Sequence, residues 1–380
     1  MPWKTTSVME ERIKFVVRAL RPGVNFSGLC REFGVSRRTG YRWLDRFMEA
    51  GNILGIRELS RRPHHSPSKT EPKYERRVVE LRGDSNWGAK KLQVLLAREG
   101  VKLPVITINR IIKRNGLIRP EICHRPALKR FERPLPNDLW QMDFKGDYAV
   151  KGGRCYPLAI LDDHSRYAVG LYALPGAGSV GVHRSLIRTF ERYGLPRAML
   201  MDHDTAWWSP TNGHGLTWLT VDLIKQGIKI YWSGYRHPQT QGKVERFHRT
   251  LKDAVKHKGR PRTMAGWYET LAHFLKEYNY IRPHEALGMA VPADRYQPSQ
   301  RMYKPNPPPW EYPQGSVVKR LNSQGCLDYK RRRYFVCEAL RGEQVKIEYL
   351  EKSIIISYRH MYIREIELET GRTIPFVKPA

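Results

Sequence analysis

The chain has 380 residues, with 67 Lys+Arg against 37 Asp+Glu and a formal net charge of +30. At about 150 residues per domain this predicts two to three domains, and 41% hydrophobic with 11% aromatic content excludes wholesale disorder. There is no run of about 18 apolar residues, MPWKTTSVMEERIKF is too charged for a secretory signal, and Cys30, Cys123, Cys155, Cys326 and Cys337 form no CxxC pair. A membrane span, a disulfide framework and a Cys-based zinc site are therefore not expected; a reduced cytosol is. So large an excess of cations is relieved by a polyanion, which puts nucleic acid ahead of acidic lipid as the expected partner.

Residues 9–20, MEERIKFVVRAL, space Ile13, Val16, Val17 and Leu20 along one helical face. Ser27 opens a second helix that Gly34 stops, and Ser36 caps a third, RRTGYRWLDRFMEA, ended by Gly51. This order predicts a helix-turn-helix over 1–58. Tyr41, Leu44, Phe47 and Met48 are expected to point inward. Arg37, Arg38 and Thr39 begin the third helix, where a recognition helix meets base edges, and Arg42 and Arg46 continue the row of Arg38. A small bundle with a solvated arginine face is the plainer alternative.

Residues 59–73 read as a linker, and His64 and His65 in it lack the companion spacing of a metal site. A second helix-turn-helix is expected over 74–118. Leu92, Leu95 and Leu96 lie on one helix, and Ile108, Ile111 and Ile112 on the next, opened by Pro104. Thr107, Asn109, Arg110 and Arg114 fall off the apolar face and become DNA-contact candidates. Residues 119–137 form a basic linker.

From 138 strands and helices alternate. NDLWQMDFKGDYAV is strand-like, and 155–174 reads as a hairpin turning at Asp162-Asp163-His164-Ser165. Helices are expected at 179–194, 216–227, 242–258 and 264–280, with short strands at 197–202 and 228–233. This order predicts a mixed sheet flanked by helices over 138–296. A Pro-dense linker, 297–314, precedes short strands over 315–380, spaced as in a small β-barrel. Lys330, Arg331, Arg332 and Arg333 make that tail basic.

Three acids stand apart from the polar surface. Asp143 lies in the strand LWQMDF, Asp202 ends the strand AMLMD, and Glu245 lies in the first turns of helix 242–258. Two acids on strands and one at a helix start can converge on one sheet edge, where like charges repel unless a cation holds them. Carboxylate oxygens without a thiolate or His cluster suit Mg²⁺ or Mn²⁺. Glu245, Arg249, Lys252 and Lys256 share one face of the helix. That row suits a metal site leading onto a phosphate backbone, and equally an ordinary Glu–Arg surface pair.

WQMDF, MLMDHD, HPQTQGKVERFHRTLK and YNYIRPHEALGMAVP together resemble the bacterial insertion-sequence transposases of the retroviral-integrase type. The resemblance covers about 25–300 and implies an RNase H-like α/β core with an Asp-Asp-Glu triad, matched by Asp143, Asp202 and Glu245. It also implies two Mg²⁺ (or Mn²⁺) ions per site, with Lys252 as the basic residue on the third acid's helix. Asp162, Asp163, Ser165 and Arg166 match a structural hairpin signature. Where the family commonly has Asn-Gly after the second aspartate, this chain has His203-Asp204, which leaves Asp204 as a rival ligand. The stretch 203–244 is longer than usual, and WWSPTNGHG (207–215) accounts for the excess as a surface loop. Trp207 and Trp208 there either stack on a flipped base or pack beneath the loop.

The expected protein is multidomain, with helix-turn-helix modules, an RNase H-like core and a C-terminal β-barrel. The expected function is a DNA transposase of the bacterial cytoplasm, associated with the nucleoid. It would bind the terminal inverted repeats of its element, cleave them and join them to target DNA, as a dimer or larger. Two alternatives stand beside it: a structure-selective nuclease of the same superfamily, and a helix-turn-helix regulator with a decayed catalytic domain, against which the presence of all three acids counts.

Overall fold

The computed structural model describes residues 7–59, 69–118, 132–210, 212, 215–233 and 242–376. His64 and His65, most of the basic linker 119–137, part of the 207–215 loop and the HPQTQ stretch before the third acid lie outside them. The chain divides into two compact units, Met1–Lys69 and Thr70–Ala380.

The first unit holds three helices, α1 (Val8–Ala19), α2 (Phe26–Glu32) and α3 (Arg37–Ala50). Ser7 and Glu10 close a reciprocal capping box on α1. The Ser36 hydroxyl accepts the Thr39 N–H at the start of α3, and Gly51 ends it in the left-handed conformation at φ 64°. The core is Phe15, Val16, Leu29, Cys30, Trp43 and Ile56. A Cβ on Gly40 would stand 2.8 Å from both the Cys30 sulfur and the Phe15 ring, so this glycine permits the close approach of α3. The inward face of α3 departs from the expectation. Gly40 and Trp43 are buried with Leu44 and Phe47 packed against the core, while Tyr41 is 51% and Met48 63% exposed. Trp43 takes the interior with the Arg12 guanidinium 3.8 Å over its ring, and Tyr41 stacks on Phe26 at the surface. On α1, Phe15 replaces Val17 and Leu20 as the buried partner of Val16.

The second unit opens with a three-helix module, α4 (Pro72–Ser85), α5 (Ala89–Arg98) and α6 (Val105–Arg114), around Val78, Leu92, Leu96, Ile108 and Ile111. The sequence reading did not identify α4. Its buried Arg82 donates to the carbonyls of Asn86, Trp87 and Leu117, tying both ends of the module together.

The central sheet is built from β1 (Trp140–Phe144), β2 (Tyr148–Val150), β3 (Gly153–Asp162), β4 (Ala168–Leu174), β5 (Ala198–Met201) and β6 (Lys229–Trp232). Antiparallel β3 joins β4 to β1, β2 pairs with the start of β3, and β5 and β6 follow β1 in parallel. Side chains alternate through it. Leu158 and Ile160 of β3 face α7 (Ser179–Tyr193) and α8 (Trp218–Lys225), while Ala159 and Leu161 face α9 (Gly242–Lys258) and α10 (Met264–Lys276). A hairpin followed by parallel strands, with helices on both faces, is the expected RNase H-like arrangement. The Pro-dense stretch is strapped to it. Arg301 donates to the carbonyls of Pro196, Gln226 and Gly227.

The C-terminal barrel does not form. Strands β7 (Val317–Arg320), β10 (Gln344–Tyr349), β11 (Ser353–Tyr358), β12 (Met361–Glu367) and β13 (Thr373–Pro375) make an open sheet in the order β13-β12-β11-β10-β7, and β8 (Cys326–Tyr329) with β9 (Arg332–Phe335) makes a separate ribbon. The apolar face is covered another way. Val345, Ile347, Ile354 and Ile356 of the sheet share one buried cluster with Leu327 and Tyr334 of the ribbon and with the central core. Alternation in sequence requires only that one face be covered, and closure is one of several ways to cover it.

Candidate active site

The site is set by the register of two neighbouring strands. Parallel β1 and β5 pair through Met142 and Met201, so Asp143 and Asp202 are the next residue on each, side by side at the carboxyl end of the sheet. Burial first, and then the like charge of Asp143, push the Asp202 carboxyl up to about 6. The N–H groups of Asp204 and Trp207 act in the opposite sense.

Helix α9 brings the third acid. Its first turn is pinned by groups the sequence reading passed over. Gln141, buried on β1, accepts the Val244 N–H at 3.3 Å and donates to Asp163 at 2.9 Å. Lys243 forms an ion pair with the same buried Asp163 carboxylate, and burial lowers its ammonium to about 8. Glu245 follows, exposed, its carboxyl raised by partial burial and then by Asp143. Three residues on, buried His248 places Nδ1 3.4 Å from the Asp143 carboxylate. Among the described residues no three His, Cys, Asp or Glu side chains stand close enough together to enclose a metal ion. The donor set is nonetheless suited to a hard cation, being oxygen-only, partly desolvated and mutually repulsive.

The rival acid has other work. The Asp204 carboxylate accepts the Ala206 N–H at 2.8 Å, and the Asp204 N–H reaches Asp202 Oδ1 at 3.1 Å, closing a local turn. Trp207 is fully buried, whereas Trp208 is half-buried against His203 and Trp232. Asp162 and Asp163 are buried. Asp162 accepts the Asn137 and Ser165 N–H groups, and Asp163 accepts the Arg133 N–H, which makes this hairpin a scaffold.

The basic candidates divide. Arg37, Arg38 and Arg42 are exposed on α3. Thr39 bonds Ser36, and Arg46 donates to the Arg57 carbonyl at 2.6 Å. Arg110 is exposed on α6 and Thr107 half-buried, whereas Arg114 pairs with Glu75 at 2.7 Å. Asn109 lines a cleft of about 460 Å³ with Trp87, Thr250 and Arg282, between α6 and α9. Arg249, Lys252 and Lys256 lie exposed along α9. Lys330 and Arg331 form the two-residue turn between β8 and β9, both at positive φ (46° and 61°), a conformation ordinarily given to Asn-Gly. Arg332 is exposed beside them, and Arg333 is held by Asp328 at 3.0 Å.

Two integrase core domain families match residues 133–238 and 226–292, and two homeodomain-like families match 6–55 and 39–112. The chain is therefore a helix-turn-helix protein with an integrase core. An uncharacterized 31.7 kDa protein of insertion element IS407 from Burkholderia multivorans is 27% identical over 259 residues, 62% of this chain and 86% of that protein. An uncharacterized 39.2 kDa protein of IS476 from Xanthomonas euvesicatoria is 27% identical over 164 residues, 42% of this chain and 44% of that protein. The HTLV-2 integrase catalytic core domain, solved in complex with magnesium in a dimeric form, superposes with a TM-score of 0.33 at 16% identity, over 43% of this chain and 97% of that one. Across its helix-turn-helix and integrase-core regions the chain is thus similar to proteins of bacterial insertion elements.

Proposed function

We propose that the chain binds the terminal inverted repeats of its own element, cleaves there and joins the freed ends to target DNA. The observation that carries this reading is the register that sets Asp143 beside Asp202, with α9 delivering Glu245 to the same edge. These three carboxylates would hold the divalent ions. Metal bound there would supply activation of a water or 3′-hydroxyl and stabilisation of the leaving oxygen of a phosphodiester. The chain's own residues do the rest. Gln141 and Lys243 orient the first turn of α9, and His248 faces Asp143 from the same helix. Arg249, Lys252 and Lys256 extend from the acids as a row for the phosphate backbone. Arg37, Arg38, Arg42, Asn109 and Arg110 contact the element end, and the Lys330–Arg333 hairpin contacts phosphates.

Hydrolysis leaves a 3′-hydroxyl on the element. That hydroxyl then attacks a target phosphodiester, forming one P–O bond as another breaks, with no ATP. Joining two ends in concert calls for at least two protomers, on the bacterial nucleoid. The test incubates the protein with a labelled terminal repeat, a target duplex and Mg²⁺ or Mn²⁺. Joined products support transposition, whereas cleavage without joining would define a hydrolytic nuclease. Binding without cleavage would define a regulator.

A further inference from the structure

The β1–β5 ladder stops at Met142 and Met201, one residue short of the two aspartates. The two aspartate side chains thus project just past the last paired residues of that ladder, where contacts beyond it can adjust their spacing. The Trp207 side chain touches both strand ends. The Trp207 indole Nε1–H donates to the Asp202 carbonyl at 2.9 Å. The same ring lies parallel to Phe144, the residue after Asp143, with centroids 5.4 Å apart and planes at 16°. Trp207 is itself immobilised. It is fully buried, its N–H donates to the Asp204 carbonyl at 3.1 Å, and its carbonyl accepts the Thr217 hydroxyl at 3.3 Å.

We propose that Trp207 is a positioning residue that sets the spacing of Asp143 and Asp202, bonding one strand end through its N–H and stacking on the other through its ring. The inference rests on reading the two aspartates as metal ligands. A rigid bicyclic ring suits the task, because it has two torsions and presents a polar edge and an apolar face at once. Its part resembles that of outer partners in metal sites generally, which orient the ligands without touching the ion. The loop 207–215, long for the family, thus begins with a residue that reaches back under the site.

Trp207→Phe separates the two contacts, since it keeps a ring against Phe144 and removes the donor. The measurements are thermal unfolding of the full chain against added Mg²⁺ or Mn²⁺, and a band-shift with the terminal repeat. The variant should melt somewhat below wild type without metal, because a buried ring is shortened and a carbonyl loses its donor, and bind the repeat equally well. Its half-saturating Mg²⁺ concentration should rise about tenfold. The rise should be smaller with Mn²⁺, because Mg²⁺ demands near-ideal octahedral geometry. A merely structural tryptophan would lower the melting temperature by the same amount with and without metal, leaving the half-saturating concentrations of both ions unchanged. An unchanged Mg²⁺ half-saturation would overturn the proposal. Should Trp207→Phe fail to fold, Phe144→Leu keeps the N–H and removes the stack; it should show the same selective weakening, and no weakening would overturn the proposal equally. If neither ion stabilises wild type, the ligand assignment falls and the clamp falls with it. Stabilisation of wild type that Asp143→Asn abolishes and Trp207→Phe preserves would remove the clamp alone.

Discussion

The carboxyl ends of β1 and β5 and the start of α3 carry opposite charges in opposite surroundings. Asp143 and Asp202 stand side by side and partly buried, and their repulsion raises Asp202. Arg37, Arg38 and Arg42 lie exposed on a helix whose interior is filled by Trp43. Crowded negative charge persists only where the fold enforces it, here through strand register and the anchoring of α9. Exposed positive charge costs the fold little and is available to a polyanion. Chemistry and recognition should therefore separate on mutation, which the following changes test.

The largest effect is expected at the paired aspartates. Asp143→Asn and Asp202→Asn should each lower cleavage and joining by roughly three orders of magnitude or more, while a band-shift shows end binding intact. Parallel loss of end binding and of chemistry would merge the two regions. Next is Arg38→Ala, which should weaken end binding by roughly 1–3 kcal/mol and narrow the preference for the terminal repeat over random DNA. Equal weakening on both DNAs would reduce Arg38 to a phosphate contact.

Asp202→Asn also carries a stability signature. The Asp202 carboxyl titrates near 6 in the folded protein against 3.8 ordinarily, so between those values the folded chain holds a proton that the unfolded chain has lost. Stability from this group therefore falls as pH rises through that window. Without metal, Asp202→Asn should be more stable than wild type at pH 7.5 by roughly 1 kcal/mol after allowance for solvent screening, and indistinguishable below about pH 4. Denaturant melts at the two pH values measure it, and a variant no more stable at pH 7.5 would mean that the pair is not strained.

Arg331→Gly addresses the β8–β9 turn. Glycine accepts the positive φ that arginine adopts there, so stability should rise by about 0.5–1 kcal/mol. The salt slope of DNA binding should fall by up to about 0.9 if the guanidinium meets a phosphate. An unchanged slope would leave the hairpin a structural ribbon. The smallest effect is expected at Asp204, whose Asn variant keeps the Ala206 turn and should remain active. An inactive Asp204→Asn beside an active Asp202→Asn would move the second ligand by two residues.

The two helical modules and the core were legible because their signals are local. Ser36 and Gly51 bound α3 in sequence as in space, and the β3–β4 turn falls at the acids that predicted it. Helix α4 was not legible. Pro72 opens it out of linker-like sequence, and it buries only Val78, Leu81 and Arg82. Nor was the open C-terminal sheet, since alternation does not report what covers a face. The groups around the acids were hidden for a third reason. Gln141, Lys243, His248 and Trp207 meet their partners across elements, and no spacing in the chain encodes those contacts. The inward face of α3 was misread by phase, because Trp43 outranks Tyr41 and Met48 only once Arg12 covers its ring.

Glu245→Gln is the most direct test of the central claim, because it keeps the shape of α9 and removes one charge. Gln is a poor ligand for Mg²⁺, which favours anionic oxygens. A gel assay for nicking and joining on a labelled terminal repeat is run beside a band-shift with the same DNA. The expected result is loss of both steps with end binding retained or slightly tightened, since one site serves both reactions and the helix-turn-helix modules carry the binding. Joining at near wild-type rate by Glu245→Gln would contradict the assignment of this edge of the sheet as the catalytic centre.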